Sequence, residues 1–345
     1  MATPKGAQLE IEYAQFISEI AHGSDQLKHQ IARGLDRFKS LDAFLRIGDL
    51  PNGHSHSESR ITTVTFQNDG NCKTRELTTW MNDLPEEVET GIDPKLIIVE
   101  NLSPKAIRML GGQLKIDPLF FSGYIDAMPS MFDVTKTPVG KRPEIIPVPW
   151  YNIEQVEPSI PMLASLKSES SHIMIRFVGA REYEGGLKHT RLKERIDPDL
   201  TKMNVERTAG LHVPIQRNHR SFENIALTRH CTSVWLNTVR PAKKRQPLWT
   251  RGVVLLDPAF EVDDPGSALY GTRKESIYRS FVSRPQPFEL EQRDIDSRDS
   301  YRDSLVHYLV HKQAPGAGFP HPMLVLQGIA RIIASEWLVV NTYVE

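Results

Sequence analysis

The sequence predicts an α/β (α+β) fold, and three stretches carry that prediction. In Lys95–Ala127 an apolar run, Leu96–Val99, leads into two successive helix starts. Its Ile and Val side chains suit a pleated surface buried on both sides. Arg251–Asp257 is a second such run, RGVVLLD, with the composition of a central strand. Met323–Val344 is the third: apolar residues recur there at helical spacing.

From the N-terminus, residues 13–47 are predicted helical. Ile17, Ile20, Leu27, Ile31, Leu35, Phe38, Leu41 and Phe44 recur there at steps of three and four. Gly23-Ser24-Asp25 divides them into two helices, with Ser24 or Asp25 capping the second. Their polar faces lack the Lys/Arg excess of a membrane-surface helix, so they are expected to pack on the domain. Asp49–Ser59 is a loop by composition, and His54 and His56, two apart in a polar tract, are poorly preorganised to hold a metal. Arg60–Gln67 alternates as a strand does, Asp69-Gly70 marks a turn, and Cys72–Met81 is the expected hairpin partner. An acidic connection, Asp83–Asp93, leads into Leu96–Val99.

After that strand, Asn101-Leu102-Ser103-Pro104 makes a helix start, with Ser103 as N-cap and Pro104 at the first helical position. Ile107, Leu110 and Leu114 give the helix one apolar face, and Asp117-Pro118 starts another carrying Leu119, Phe120, Tyr124 and Ile125. Pro129–Pro161 is too rich in proline for long regular elements, and its Trp150 and Tyr151 are expected to cover apolar surface. Ser171–Val178, Ala209–Ile215 and Ile225–Leu236 are predicted strands, and Arg251–Asp257 pairs back as another. Glu182–Thr208, whose charges do not segregate by sign, reads as a solvated insertion.

Arg240, Lys243, Lys244 and Arg245 cluster in the loop between two of those strands. They are the candidate contacts for phosphates or acidic lipid headgroups; the plain alternative is a solvated hairpin tip. Asp294, Asp296 and Asp299 echo a calcium loop, but the glycine and terminal glutamate of such a loop are missing. Their charges pair instead along the start of a helix running to about Lys312. Pro315–Pro322 breaks that helix.

Composition narrows the function. Lys and Arg number 42 against 43 Asp and Glu, a formal charge of −1. No overall field attracts nucleic acid, and none is expected as a partner. Cys72 and Cys231 lie far apart, which excludes a disulfide framework and favours a reducing compartment. Met1–Glu10 lacks the pattern of a secretory signal. No window reaches the roughly 20 uncharged apolar residues of a membrane span. The nearest, Met323–Val340, contains Arg331 and Glu336, so the chain as given is expected to be soluble.

Catalytic signatures are sparse. His307 and His311 share one helix face at a spacing known from zinc enzymes, but Tyr308, Leu309 and Val310 stand where the glutamate base belongs. His321 joins them only if the Pro/Gly loop folds back. His230 and Cys231 are strand neighbours and point to opposite faces, which rules against a dyad. No Gly-rich phosphate loop, nucleophile elbow or Cys-x-x-Cys occurs. The chain reads as a non-enzyme that requires no cofactor.

One resemblance ties these stretches together. A strand, Asn101-Leu102-Ser103, a helix, Ile116-Asp117-Pro118-Leu119 and a second helix resemble the soluble domain of the CorA family of magnesium transporters, in particular its divergent fungal members. Lys141-Arg142-Pro143-Glu144 before His172–Val178 is similar to that family's Arg-Pro-Lys-x-Glu-to-strand passage. Arg229–Trp235 with Gly252–Pro258 resembles its paired strands, and Pro322–Glu345 the start of its stalk helix. The resemblance touches roughly residues 60–345.

It implies a mixed sheet between helical layers and three regions: residues 1–59, helical with a polar loop; 60–320, the α/β domain with a charged insertion near 182–208; and 321–345, the start of a long C-terminal helix. The implied function is that of a cytosolic regulatory and assembly domain of a divalent-cation transport protein, on the cytoplasmic side of a membrane. Pore helices and the Gly-Met-Asn signature do not occur here, so transport is not expected of this chain by itself. The alternatives are a soluble interaction or scaffold protein without the membrane part, and an enzyme of unknown type. The family's acidic pair after Pro-Leu falls on Ser122 and Gly123, leaving Asp126, three residues on, as the candidate ligand for a regulatory Mg2+. Leu326, Ile329, Ile333, Trp337 and Val340 make the last helix the expected surface for homo-oligomerisation.

Overall fold

Successive side chains of a strand point to opposite faces, so a strand apolar at every position demands cover on both. A computed structural model of the chain describes residues 4–22, 35–47, 59–77, 93–125, 154–155, 171–182, 205, 209–210, 216–217, 220–221, 225–238, 249–258, 300–312 and 320–344. Its elements are helices α1 (Pro4–His22) and α2 (Leu35–Ile47), strands β1 (Arg60–Phe66), β2 (Cys72–Leu77) and β3 (Lys95–Glu100), and helices α3 (Pro104–Leu114) and α4 (Pro118–Ile125). Then come β4 (Glu154–Gln155), β5 (Ser171–Glu182), β6 (Ala209–Gly210), β7 (Gln216–Arg217), β8 (Arg220–Ser221), β9 (Ile225–Thr238) and β10 (Trp249–Leu256). Helices α5 (Tyr301–Lys312) and α6 (Pro322–Val344) close the order.

One eight-stranded mixed sheet dominates, in the order β2-β1-β3-β10-β9-β5-β4, with β6 beside β9. Only β3 and β10 run parallel within it; β1–β2, β1–β3, β10–β9 and β9–β5 are antiparallel. The register carries the alternation across the sheet. Ile97 pairs with Val253, and Val253 with Trp235, on one face; Ile98, Val254 and Val234 do the same on the other. The first face packs under α1–α4, with Ile17, Leu41, Ile107, Leu110, Phe120, Phe121 and Tyr124 in its core. The second packs under α5 and α6 through Tyr301, Leu305, Leu309, Val325, Ile329 and Ile332. The mixed sheet between helical layers is therefore present.

The two helix starts after β3 form as their residues dictate. Ser103 Oγ accepts the Ala106 N–H at 3.3 Å, and Pro104 opens α3. Asp117 Oδ1 accepts the Leu119 N–H at 2.9 Å at the head of α4. Every α4 residue from Pro118 to Tyr124 is buried, because α4 lies against β5, β9 and α2. Gly123 allows that approach: a Cβ there would collide with the Met174 side chain.

Several boundaries differ from the sequence reading. The first helix begins at Pro4, well before residue 13. Its early turns carry Gly6, Gln8 and Glu10, which give no apolar period, and α3 holds them: Gly112 would place a Cβ 2.7 Å from the Leu9 carbonyl oxygen. Residues 23–34, where the helix break was placed, lie outside the described ones. β5 outruns its predicted end by pairing with β9 as far as Glu182–Ile225, and β9 runs on to Thr238 by pairing with β10. Of the strand expected over Ala209–Ile215, the described part is Ala209–Gly210, paired with β9 at Thr228 and Leu227, beyond the reach of β10; residues 211–215 lie outside the described ones.

Candidate functional site

The β3–β10 pair is where the chain changes face. From β3 the chain enters α3, on the first face; α5, the next described helix after β10, lies on the second. The carboxyl ends of two such neighbouring parallel strands form a switch point, the place where open α/β sheets most often carry their sites. Here that edge bears a belt of buried polar side chains.

Glu100 ends β3 and is 1% exposed. Its Oε2 lies 3.1 Å from an Arg60 guanidinium nitrogen and 3.9 Å from Arg302 Nε, and Ser300 hydrogen-bonds the same carboxylate. Oε1 has no partner. Burial raises the Glu100 pKa, with the two arginines acting the other way. Arg302, at the start of α5, is itself only 4% exposed. It donates to Glu76 Oε1 at 2.6 Å and to Asp303 Oδ1 at 2.8 Å, and lies 3.4 Å from Thr62 Oγ1. Its hydrogen bond holds the Glu76 carboxyl below the ordinary range. Ser300 caps α5 by accepting the Asp303 N–H at 3.2 Å.

Next to Glu100, Asn101 adopts φ 61°, a left-handed conformation that asparagine tolerates better than most residues. That turn lets its N–H donate to the Leu256 carbonyl of β10 at 3.2 Å. Ser59 Oγ sits 2.8 Å from both the Asn101 carbonyl oxygen and Ser103 Oγ, so the turn, the α3 cap and the start of β1 share one network.

Asp257, just past β10, is 1% exposed. Tyr124 of α4 donates its hydroxyl to Oδ1 at 2.7 Å. Oδ2 accepts the Cys231 N–H at 3.0 Å and lies 3.3 Å from His230 Nδ1. The His230 ring stacks on Phe177 (5.3 Å between centroids, 26°) and meets the edge of Tyr301 (5.3 Å, 83°).

This belt holds helices to strands; it offers no exposed nucleophile. Glu100 and Asp257 are sealed, while Glu76 and Arg60, and in part Asp303, reach the surface. His230 packs with the second face and Cys231 belongs to the first-face core, as their neighbouring strand positions require. Cys72 is half-buried, with its thiol pushed up to about 11 by burial, so it is not poised as a thiolate.

The residues singled out from sequence fare unevenly. His307 and His311 do meet, with rings stacked at 3.9 Å, and His311 Nδ1 lies 2.9 Å from the His307 carbonyl oxygen. Face-to-face rings do not converge their nitrogens on one ion. His321 is exposed, and its Nδ1 accepts the Met323 N–H at 3.2 Å, capping α6. Among the described residues no group of three or more His, Cys, Asp or Glu could hold a metal ion. No helix among them is long and apolar enough to cross a membrane.

Asp126, Arg240, Lys243, Lys244, Arg245, His54, His56, Asp294, Asp296 and Asp299 lie outside the described residues. On α6, Ile329 is spent inside the chain's own core, and Leu326 and Ile333 pack partly against it. Trp337 is half-buried, and the Val340 side chain is outside the described set. The sequence reading missed Glu100, Asp257 and Arg302. For the first two a signal was there: a carboxylate closing an otherwise apolar strand. Compared with known proteins, the chain matches no family model and no curated protein.

Proposed function

We propose that this chain is the cytosolic regulatory and assembly domain of a CorA-like divalent-cation transport protein. The carrying observation is the placement of the β3–α3–α4 unit, which holds the motifs of the resemblance. Its strand is an inner strand of the mixed sheet and its helices cover one face, with the C-terminal helix in the opposite layer. That helix has 23 residues, about 34 Å at 1.5 Å per residue, long enough to carry a displacement away from the sheet. The sealed belt suits a domain that changes shape better than one that processes a substrate.

On this reading Mg2+ acts as a regulatory ligand. Magnesium keeps most of its waters and needs only one or two carboxylates, such as Asp126. Self-assembly falls to the side chains of α6 that the chain's own core covers only in part: Leu326, Ile333 and Trp337. Membrane attachment belongs to segments beyond Glu345.

The transcript beyond codon 345, together with cation uptake by cells expressing the whole gene, tests the reading. Two apolar segments of about 20 residues, a Gly-Met-Asn-like turn between them and gene-dependent Mg2+ uptake are expected. A stop codon at that point, with uptake unchanged, would replace it with a soluble interaction or scaffold role.

A further inference from the structure

We infer that Asp257 couples the two helical layers, so that loosening α4 on one face of the sheet loosens the start of α5 on the other. A sheet ordinarily insulates its two faces, because the side chains that meet each layer alternate along every strand. Asp257 escapes that rule by lying just past the end of β10, where one carboxylate can reach around the edge. Its Oδ1 takes the Tyr124 hydroxyl from α4. Its Oδ2 takes the Cys231 N–H and faces His230 Nδ1. The imidazole passes the contact on, held between the face of Phe177 and the edge of Tyr301, the first residue of α5.

Three features make this a coupling rather than a chance row of contacts. Both oxygens belong to one rigid planar group, so neither moves without the other. Tyr124, Asp257, His230 and Tyr301 are all buried, so water does not readily replace a lost donor. The link to β9 runs through a backbone N–H, which fixes the carboxylate to the sheet while its other contacts reach the two layers. The inference concerns the chain's own layers and stands whether or not a pore follows.

Tyr13 supplies the control. It is buried like Tyr124 and donates its hydroxyl at 2.8 Å to the Ile116 carbonyl, but both ends of that bond lie in the first layer. Backbone amide hydrogen exchange of the full chain, followed by mass spectrometry, compares Tyr124→Phe with Tyr13→Phe. Each change removes one oxygen and keeps the ring. In Tyr124→Phe, exchange should quicken about ten-fold, as for loss of a hydrogen bond to a charged group, in both α4 and residues 301–305 of α5. In Tyr13→Phe it should quicken in the first layer and leave α5 at the wild-type rate. Asp257→Asn, which keeps the carboxylate's shape, should repeat the two-layer pattern. Unchanged α5 exchange in Tyr124→Phe and Asp257→Asn would overturn the inference, and so would an equal change in α5 for Tyr13→Phe, which would mark a general loss of stability.

Discussion

Glu100 and Asp257 close neighbouring parallel strands, and both are buried carboxylates, yet the fold holds them in opposite ways. Asp257 is served by a tyrosine hydroxyl, a backbone N–H and an imidazole, all from elements packed against it. Glu100 leans on guanidinium groups from β1 and α5 and keeps one oxygen without a partner. The difference shows two ways to keep a carboxylate inside a protein. Donors of little or no charge hold Asp257, whereas guanidinium groups hold Glu100, one from directly across the sheet and one from α5, so the second carboxylate depends on opposite charge for its burial.

The largest expected effect breaks that second arrangement. Arg302→Met removes the guanidinium that spans Glu76, Asp303 and Glu100, and should cost about 3–5 kcal/mol, the usual toll of breaking a buried ion pair. The Glu100 pKa already lies above its unfolded value, and the loss of Arg302 raises it further. A carboxyl raised on folding contributes stability below its unfolded pKa and loses it as pH rises through the folded one. The deficit of the variant should therefore be larger near pH 7.5 than near pH 5 in urea unfolding. Equal deficits at the two would detach the effect from Glu100.

A third buried group, with one ring nitrogen left unpartnered, sharpens the comparison. His172 is 3% exposed, packs edge-on against Phe120 at 5.8 Å, and leaves Nε2 without a partner. Burial lowers its pKa from 6.5 to about 4. A histidine kept neutral on folding contributes stability above its unfolded pKa, and that stability drains away as pH falls from 6.5 toward 4, by about 3 kcal/mol in all. His172→Phe should flatten that part of the stability–pH curve. Parallel curves for variant and wild type would place the acid sensitivity elsewhere.

The smallest effect lies at the α3 cap beside Glu100. Ser103→Ala removes the acceptor for the Ala106 N–H and a neighbour of Ser59, and should cost about 1 kcal/mol by thermal or urea unfolding. A change within error would mean that Ser59 and Asn101 hold the turn without it.

What was legible in the sequence was local. Ser103-Pro104 and Asp117-Pro118 specify helix starts through side-chain and ring chemistry within three residues, and both starts formed as read. The hairpin at Asp69-Gly70 followed the same logic, Gly70 taking φ 86°. The pairing of β3 with β10 joins residues about 150 positions apart, and no local pattern states it. Burial of both faces was legible in the apolar run Leu96–Val99, whereas helical layers as the cover were implied by the resemblance. Arg302 was hidden by its setting: in a run as charged as RDIDSRDSYRDS one arginine looks like any other, and only the tertiary fold buries it. For α6 the pattern announced an apolar face without saying what covers it, and the covering is largely the chain's own sheet.

The outer strand β2 carries a consequence for crowding. Lys73, Thr74, Arg75 and Glu76 are exposed along the edge of the sheet. Residues directly opposite in an antiparallel pair share a face, so a two-fold meeting of two such edges must be centred on a residue. Centred on Thr74 it sets Lys73 against Arg75; centred on Lys73 or Arg75 it sets that cation against its own copy. Every central register opposes like charges, so even at high concentration the sheet resists stacking edge to edge into a ribbon.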